Sequence, residues 1–414
     1  MALERLALTN YRCFQERQEV EIRPITVVLG KNNSGKSALV RAPLVIATGL
    51  RGDSPVPLDL ALLGDDAPDF IDLVHKHLDH GSIRFELGLS DESHVSATVQ
   101  NIAEWHTQVV SDWSLQSPAS SADYQWRPDE DTDESDVRPY WAVVPGRPFR
   151  GLSDVRFNGL LPVSEHGRAS DRIAAEFGEV RHLGPFRTRP TRSGRLSARP
   201  PALDEFGSRA AEILIHDHVR RGGRLINKIN EYLGNHLPGW ELEVVPRYDA
   251  YSVGLRSTKT RGLWVPATDS GTGVAQVLPI LIQRAQDELS PPRGDVLEII
   301  EEPELHMHPS AQAGLADLYI QAARSSDRIR FMIETHSETF LLRLRRRIAE
   351  GTLPADRLGL YFVDGDGDAS TVRRINVDAL GNVDYWPEGI FAENFEEVRA
   401  MAVAQEDRQG TDAR

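Results

Sequence analysis

The residues with the clearest chemical purpose lie at positions 27–40, in the stretch VVLGKNNSGKSALV. Gly30, Gly35, Lys36 and Ser37 fit the spacing G-x-x-x-x-G-K-S at every fixed position. Glycines let the backbone wrap closely around an anion, so that amide N–H groups point at its oxygens. The lysine ammonium and the serine hydroxyl then serve the β- and γ-phosphates and Mg²⁺. The loop therefore predicts a nucleoside triphosphate with its magnesium ion.

A glycine-rich turn that contains a chance lysine is the competing interpretation of this phosphate loop, residues 30–37. A β-branched run precedes the loop and a helix-forming run follows it. Phosphate binding requires that strand-loop-helix context, whereas a chance turn does not. We therefore favour nucleotide binding.

Two carboxylates downstream complete a hydrolytic set. The run VLEIIEE at 296–302 is mostly apolar until Glu301 and Glu302 follow at its carboxyl end. Ligands bind at that edge of open α/β sheets, so we expect Glu301 to hold Mg²⁺ through water and Glu302 to polarise the attacking water. Acids at strand ends are common, and only the phosphate loop upstream favours this role.

A histidine follows the next predicted strand. The run IRFMIETHSE at 329–338 places His336 at the same edge of the sheet. There it could hydrogen-bond a γ-phosphate or the attacking water, although a histidine at such a position is by itself more often structural.

A second anion-binding element begins at Ser270 and Gly271. These residues open a helix, whose N-terminus favours negative charge. One chain has no use for two such sites on one triphosphate, whereas two chains do. We therefore expect a head-to-tail homodimer, or a higher even oligomer, in which Ser270 of one copy closes over the phosphates held by the other.

The elements that must position these groups follow a β-α-β rhythm, which predicts an α/β fold with a mainly parallel sheet covered by helices. Strands are predicted at 3–30, 241–256, 296–302 and 329–335, with the further runs LYFV at 360–363 and TVRRINVD at 371–378. Helices are predicted at 35–47, 204–233 and 273–288 and from residues 310 and 338 onward, and 68–90 predicts a short helix leading into a strand.

Composition limits the kind of protein. The chain has 414 residues, 40% hydrophobic and 26% charged, which is an ordinary balance for a globular protein. No run approaches the roughly 18 apolar residues of a membrane helix, and no signal-peptide layout begins the sequence. Cys13 is the single cysteine, so we expect a reducing cytoplasm and no internal disulfide. A net charge of −15 disfavours nucleic-acid binding by the whole surface.

Two segments have biased composition. The run 129–136 carries six acids in eight positions and predicts a solvated loop. The arginine segment, residues 187–199, holds Arg187, Arg189, Arg192, Arg195 and Arg199 and no acid. It is the best candidate for DNA contact, although we favour a solvated loop or a contact with an acidic partner.

Two further clusters resemble metal sites. Glu304, His306 and His308 lie in PELHMHP, and DGDGD occupies 364–368. We favour a loop contacting a second protomer for the first cluster and a hairpin turn for the second.

The order of these motifs resembles the ABC-type ATPase head of SMC, RecF and OLD-like AAA ATPases. In particular the chain is similar to bacterial AAA family ATPases whose small C-terminal domain ends in a W-P-x-G-F-F-like motif, here WPEGIF at 386–391. Further matching stretches are LALTNYRCF, LGPFRTRPTR, GVAQVLPIL and PELHMHP. The resemblance spans nearly the whole chain and is weakest from 95 to 175.

The resemblance implies ATP and Mg²⁺ as cofactors and assigns roles by position. Arg12 would touch the nucleotide, Ser270 and Gly271 would form the signature that acts in trans, and Glu301 would be the Walker B acid with Ser37 on Mg²⁺. Glu302 would be the catalytic carboxylate, His336 the switch histidine, and PELHMHP the D-loop. The phosphate-loop residues that match are Gly30, Asn32, Asn33, Ser34, Gly35, Lys36 and Ser37.

Some positions depart from the family pattern. The Walker B acid is Glu rather than the commoner Asp, Ala38 follows Ser37, and the signature reads SGTG. The glutamine expected between phosphate loop and signature has no clear counterpart. These departures bear on the rate of ATP hydrolysis more than on the binding of ATP.

The implied organisation has four parts. These are an N-terminal half of the head at 1–94, an inserted lobe at 95–240, the C-terminal half of the head at 241–350 and a small C-terminal domain at 351–414. The implied function is a slow ATPase that acts as a dimeric switch in DNA maintenance or anti-phage defence, beside a separate effector protein and with no nuclease of its own. A transporter subunit and an ATP-sensing scaffold with little turnover are the alternatives.

Overall fold

The structure is a computed structural model that describes most of the chain. The described residues are 3–51, 54, 56–127, 140–142, 150–153, 155–163, 168–236, 239–365, 367–387 and 401. The predicted acidic loop at 129–136 and the end of the WPEGIF motif lie outside the described residues.

Strands and helices alternate through the second half of the described chain, as the sequence predicts. The strands are β1 Leu3–Thr9, β2 Gln18–Glu21, β3 Ile25–Gly30, β4 Ser82–Leu89, β5 His94–Ile102, β6 Thr107–Gln116, β7 Ser121–Trp126, β8 Tyr140–Ala142, β9 Arg150–Ser153, β10 Arg156–Asn158, β11 Leu161–Val163, β12 Glu179–Leu183, β13 Trp240–Arg247, β14 Ala250–Ser257, β15 Trp264–Pro266, β16 Val296–Glu301, β17 Ile329–Glu334, β18 Leu358–Gly365 and β19 Ser370–Ile375. The helices are α1 Lys36–Gly49, α2 Phe70–Leu73, α3 Arg168–Phe177, α4 Ala210–Arg221, α5 Arg224–His236, α6 Thr272–Leu289, α7 Pro309–Ser325 and α8 Glu338–Ala349.

A six-stranded sheet in the order β12-β16-β17-β3-β18-β19 organises the molecule. Its first five strands are parallel, and β19 pairs antiparallel with β18. The carboxyl ends of β16, β17 and β3 therefore lie side by side at one edge, and Glu301 stands opposite Glu334 in the register of β16 and β17. The predicted α/β fold with a mainly parallel sheet is confirmed.

Residues of the central strands alternate between two hydrophobic cores, because successive side chains of a strand point to opposite faces. In β3, Ile25, Val27 and Leu29 join the core that helices α4 to α8 cover. Val28 joins the other core, which packs α1 against an eight-stranded antiparallel sheet, β2-β1-β4-β5-β6-β7-β8-β9. Both faces are buried, which explains why β3 and β16 are buried at every position.

The structure does not support a separate lobe at 95–240. Strands β5 to β9 continue the antiparallel sheet that β1, β2 and β4 begin, and β12 pairs with β16 in the central sheet. The predicted single helical stretch at 204–233 is two helices, separated by Gly222 and Gly223 at φ values of 69° and 71°. A left-handed backbone at two successive residues ends a helix and is easy only for glycine.

The C-terminal segment is also part of this architecture. Strands β18 and β19 complete the central sheet beside β3, so residues 358–375 share a sheet with the phosphate loop. The DGDGD motif connects these two strands, as the hairpin interpretation predicts. Among the described residues, no helix combines the length and apolar content that crossing a bilayer would need.

A buried ion cluster joins α6 to the central sheet. Arg284 and Glu298 pair with almost no exposure, Asp287 lies 2.9 Å from Arg284, and the guanidinium stacks on Phe331. Removing one member leaves the others as uncompensated buried charges.

We predict that Arg284→Met lowers the free energy of unfolding by about 3–5 kcal/mol. Adding Glu298→Leu should recover part of the loss, because an apolar replacement of a buried pair is often tolerated. Chemical unfolding measures both effects, with Arg195→Ala as the control, since Arg195 and its partner Asp249 are both exposed. A loss for Arg284→Met no larger than that of the control would contradict the prediction.

Candidate active site

The phosphate loop joins β3 to α1, and its two glycines are required by close packing. A Cβ at Gly30 would collide with the Val363 carbonyl oxygen and the Ser34 hydroxyl. A Cβ at Gly35 would collide with Cys13 Sγ, and Gly35 also has a φ of 102°. The sequence therefore places glycine where the backbone must curl tightly against its neighbours.

The groups of this loop fit an anion. Helix α1 begins with no capping side chain and no acid in its first turn, so its N-terminal N–H groups are available. The Ser34 hydroxyl is buried and has no hydrogen-bond partner among the described residues. Lys36 Nζ donates to the Lys31 carbonyl at 2.8 Å, and burial lowers the pKa of Lys36. A nucleotide phosphate would supply the acceptors that these donors need.

Three acidic or basic side chains converge at the neighbouring strand ends. The ligand atoms of Glu302, Glu334 and His336 all lie within 4.8 Å of one another. The Ser37 hydroxyl donates to Glu334 Oε1 at 3.1 Å, and Lys36 Nζ lies 3.9 Å from the same oxygen. Phosphate loop, carboxylates and switch histidine thus meet at one edge, as the strand order requires.

Glu301 lies in a different environment from the one predicted. Its carboxylate accepts from Arg41 at 2.6 and 2.7 Å and from His182 Nε2 at 2.6 Å. Burial opposes ionisation, but these two partners outweigh it and hold the pKa of Glu301 below its ordinary value. The predicted metal pair, Ser37 with Glu301, is therefore not the arrangement found, because β12 brings His182 to Glu301 and Ser37 bonds Glu334 instead.

Sequence reasoning missed Glu334. It is the last residue of a buried strand, which is the same signal that identified Glu301 in β16. Burial, reinforced by the nearby Glu301 charge, raises the pKa of Glu334 to about 7, although Ser37 and Lys36 act in the opposite direction. Its Oε2 is buried without a hydrogen-bond partner among the described residues, so it has a coordination position to offer Mg²⁺.

Glu302 has a strained backbone. Its φ of 41° is unusual for a residue with a side chain, and its N–H donates to the Glu334 carbonyl at 2.8 Å. Such a conformation costs about 1–3 kcal/mol and is concentrated at functional sites. The turn directs the half-buried Glu302 side chain toward Glu334 and His336.

Arg12 belongs to a turn that packs on the phosphate loop. Its N–H donates to the Leu73 carbonyl at 2.7 Å, and its own carbonyl contacts His75 Nδ1 at 2.8 Å. The next residue, Cys13, is the one that leaves no room for a side chain at Gly35. Arg12 is thus placed beside the loop by the backbone.

Residues 303–309, the expected D-loop, support His336, the expected switch histidine, through Glu304. Glu304 Oε1 accepts from Thr335 Oγ1 and from the His336 N–H, each at 2.7 Å, and burial raises the pKa of Glu304. The His308 side chain caps α7 by accepting from the Ser310 N–H. These contacts account for Glu304 and His308 without a metal ion. In the part of the chain that is described, Glu302, Glu334 and His336 are the residues grouped closely enough to ligate a metal.

The signature loop, residues 269–273, packs against the D-loop. Ser270 Oγ donates to the Ala267 carbonyl at 2.6 Å, and Gly271 begins α6 without a side-chain cap. A cavity of about 230 Å³ is bordered by Gly271, Gly273, His306 and Met307 but by none of residues 30–37. Signature loop and D-loop therefore border the same cavity, which no residue of the phosphate loop lines.

The arginine segment combines one buried arginine with exposed arginines, three of which contact groups of the chain itself. Arg187 is 3% exposed, Arg189 donates to Thr272, Arg192 pairs with Asp269, and Arg195 pairs with Asp249. Arg187 is thus buried, whereas Arg189, Arg192, Arg195 and Arg199 are exposed, as a solvated loop predicts, and a contact of this segment with DNA or an acidic partner stays a prediction.

Comparison with known proteins relates part of the chain to an ATPase family. Residues 1–49 and 217–341 match the AAA ATPase domain family, and these ranges contain residues 30–37, Ser270, Glu301, Glu302 and His336. Because the match covers less than half of the chain, it is these ranges that are similar to an AAA ATPase domain. Residues 353–401 match a second family, described only as a protein of unknown function (DUF3696). None of the curated proteins matches the sequence.

Solved structures with a similar outline are heads of SMC proteins. An SMC head bound to the C-winged helix domain of ScpA is 11% identical, covers 91% of this chain and 98% of its own, and has a TM-score of 0.48. A Pyrococcus furiosus SMC head with the C-terminal domain of ScpA is 10% identical, with coverages of 98% and 99% and a TM-score of 0.46. The Thermotoga maritima SMC head is 12% identical, with coverages of 91% and 100% and a TM-score of 0.41. Similarity at this level carries no functional detail.

We predict that Glu334→Gln stabilises the nucleotide-free protein at high pH. Because the pKa of Glu334 is raised from 4.5 to about 7, the folded protein holds a proton that the unfolded chain releases. The free energy of unfolding therefore falls as pH rises from about 4.5 through about 7, by roughly 3 kcal/mol. The glutamine variant lacks this loss, so it should exceed the wild type at pH 8 and approach it at pH 4.5.

Chemical unfolding at several pH values, without Mg²⁺, measures this difference. The matched control is Glu338→Gln, an exposed carboxylate in the first turn of α8. Identical pH slopes for wild type and Glu334→Gln would show that Glu334 is ionised in the folded protein at neutral pH.

Proposed function

We propose that two copies of this chain bind two ATP molecules between them and act as a switch that closes with ATP and opens after hydrolysis. The observation that carries this proposal is that the two anion-binding elements have different neighbours in one chain. Ser37 of the phosphate loop bonds Glu334, which lies beside Glu302 and His336, whereas Gly271 lines a cavity with His306 and Met307 that no residue of 30–37 borders. A second copy would bring a signature loop to each phosphate loop.

The chain's own residues would have the following roles in ATP binding and hydrolysis. Lys36 and the N-terminus of α1 bind phosphate oxygens, while Ser37 and Glu334 hold Mg²⁺, and Glu301 stabilises α1 through Arg41. Glu302 orients and deprotonates the attacking water, and His336 stands within reach of the same position. Bound MgATP supplies the phosphoanhydride bond whose cleavage drives opening.

A separate effector would respond to this switch. The family resemblance supports DNA maintenance or anti-phage defence as the setting. Direct DNA contact through the arginine segment is not part of the proposal, because Arg187, Arg189, Arg192 and Arg195 bind groups of the protein itself.

Mixing two inactive variants tests the composite site. Lys36→Ala removes the phosphate-binding ammonium group of one copy, and Ser270→Arg blocks the signature loop of the other. Each variant alone should have almost no ATPase activity, but their mixture should regain one complete site per mixed dimer. Steady-state phosphate release measures the recovery. A mixture as inactive as its components would refute shared sites.

Glu302→Gln tests the catalytic carboxylate. The amide cannot accept a proton, so kcat should fall by about 10²–10⁴ while ATP affinity is retained. The closed dimer should then persist in MgATP, as size-exclusion chromatography would show, and an effector that binds that state should co-purify with it. Glu104→Gln, an exposed carboxylate in the antiparallel sheet region, is the matched control. Unchanged turnover in Glu302→Gln would remove Glu302 from catalysis and favour a nucleotide sensor.

A further inference from the structure

Arg187 joins the end of the Walker B strand to the signature helix. Its guanidinium donates to the Glu301 carbonyl at 2.7 Å and contacts the Glu302 and Gln276 carbonyls at 3.5 Å. Its backbone completes the link, because the Gln276 side-chain amide donates to the Arg187 carbonyl at 2.9 Å and accepts from its N–H at 3.4 Å. Gln276 lies in the first turns of α6, directly after the signature loop.

The electrostatics of Arg187 indicate a role other than stability. The side chain is 3% exposed, and its acceptors are carbonyl groups rather than the oxygens of a carboxylate. Its Nε has no hydrogen-bond partner among the described residues, and burial lowers the pKa of Arg187. Burying a guanidinium without a carboxylate hydrogen-bond partner is unfavourable, because the charge loses its hydration. The fold therefore places a desolvated cation between the end of the Walker B strand and the start of the signature helix.

The next arginines of the segment hold the signature loop from outside. Arg189 donates to Thr272 Oγ1 at 2.9 Å, and Arg192 makes a bidentate pair with Asp269 at 2.6 and 2.7 Å. Asp269 and Thr272 flank Ser270 and Gly271 on either side. Two exposed arginines thus fix the loop that would face the nucleotide of a second copy.

A second contact connects the same parts. A Cβ at Gly273 would approach the His306 carbonyl oxygen to 2.9 Å, so the start of α6 packs directly on the D-loop. The D-loop in turn supports the switch histidine through Glu304. Signature loop, Walker B end and switch histidine therefore form one continuous set of contacts.

We propose that Arg187, Arg189 and Arg192 are positioning residues that couple the two ATP sites of a dimer. Arg189 and Arg192 set the position of Ser270 for the site held by the other copy. Arg187 links that loop to the backbone of Glu301 and Glu302, which serve the site held by its own copy. A change at one catalytic carboxylate is thereby transmitted to the signature that completes the opposite site. This inference rests on the proposed composite sites.

A dimer with a single complete site separates these roles. One copy carries Ser270→Arg and retains its phosphate loop, and it is called the loop donor. The other carries Lys36→Ala and retains its signature, and it is called the signature donor. Different affinity tags allow the mixed dimer to be purified, and phosphate release gives the activity of its one complete site.

Arg189→Ala or Arg192→Ala should lower kcat about 2- to 30-fold when placed in the signature donor and should have no effect in the loop donor. Arg187→Met should lower kcat in either copy, because Arg187 contacts both elements. ATP affinity of the loop donor, measured by equilibrium binding, should not change. Arg195→Ala, which breaks only an exposed pair with Asp249, is the control for removing an arginine from this segment.

The outcomes distinguish the two hypotheses. An inactive parent dimer would overturn the composite site and the coupling with it. An active parent in which Arg189→Ala and Arg192→Ala act equally from both copies, or from neither, would overturn the coupling alone. Arg189 and Arg192 are exposed, so the test does not depend on whether Arg187→Met folds.

Discussion

Three carboxylates, Glu301, Glu302 and Glu334, converge at the edge of one sheet, and their mutual repulsion is the constraint on which the rest of the site depends. Each is compensated differently. Glu301 is paired with Arg41 and His182, Glu334 retains a proton up to about neutral pH, and Glu302 is half-buried on a strained turn. Carboxylates so close together are costly without positive charge between them. The fold places there a buried lysine, a serine hydroxyl and a helix N-terminus, and these are the groups that a magnesium-bound phosphate completes.

The parallel sheet is what makes this concentration of charge possible. Strands β16, β17 and β3 are buried along most of their length, and the carboxylates of the site, Glu301 and Glu334, are the last residues of β16 and β17. Neighbouring parallel strands end at the same edge, which brings residues far apart in sequence within hydrogen-bonding distance. Packing on both faces of the sheet keeps these ends fixed, and the buried cluster around Arg284 anchors α6 to the same sheet.

Much of the fold and of the candidate site was predictable from the sequence, because the patterns that indicate them lie within short stretches of the chain. The phosphate loop and the acids that end β16 follow from spacing and hydrophobic pattern, as does the α/β fold. Contacts across sequence distance were not predictable in the same way. Nothing local indicates that His182 and Arg41 bind Glu301, or that the arginines near position 190 bind the signature loop. Glu334 shows the same pattern as Glu301, an acid at the end of a buried strand. The sequence interpretation nevertheless assigned a role only to the histidine of the adjacent Thr-His-Ser. The division at 95–240 failed because the strands on either side of position 95 belong to one antiparallel sheet.

The hairpin of β18 and β19 has a consequence for how the protein can be divided. The Val363 carbonyl presses against Gly30, and the Ser370 N–H bonds the Cys13 carbonyl beside Gly35. Strands β18 and β19, which lie in the range 353–401 that matches a separate family, thus pack directly against the phosphate loop and the turn beside it. Truncation at 350 would strip two strands from the central sheet and expose the edge of β3. Conversely, a movement of the phosphate loop would displace the hairpin of β18 and β19 as well, because Val363 and Ser370 contact the loop and its neighbouring turn.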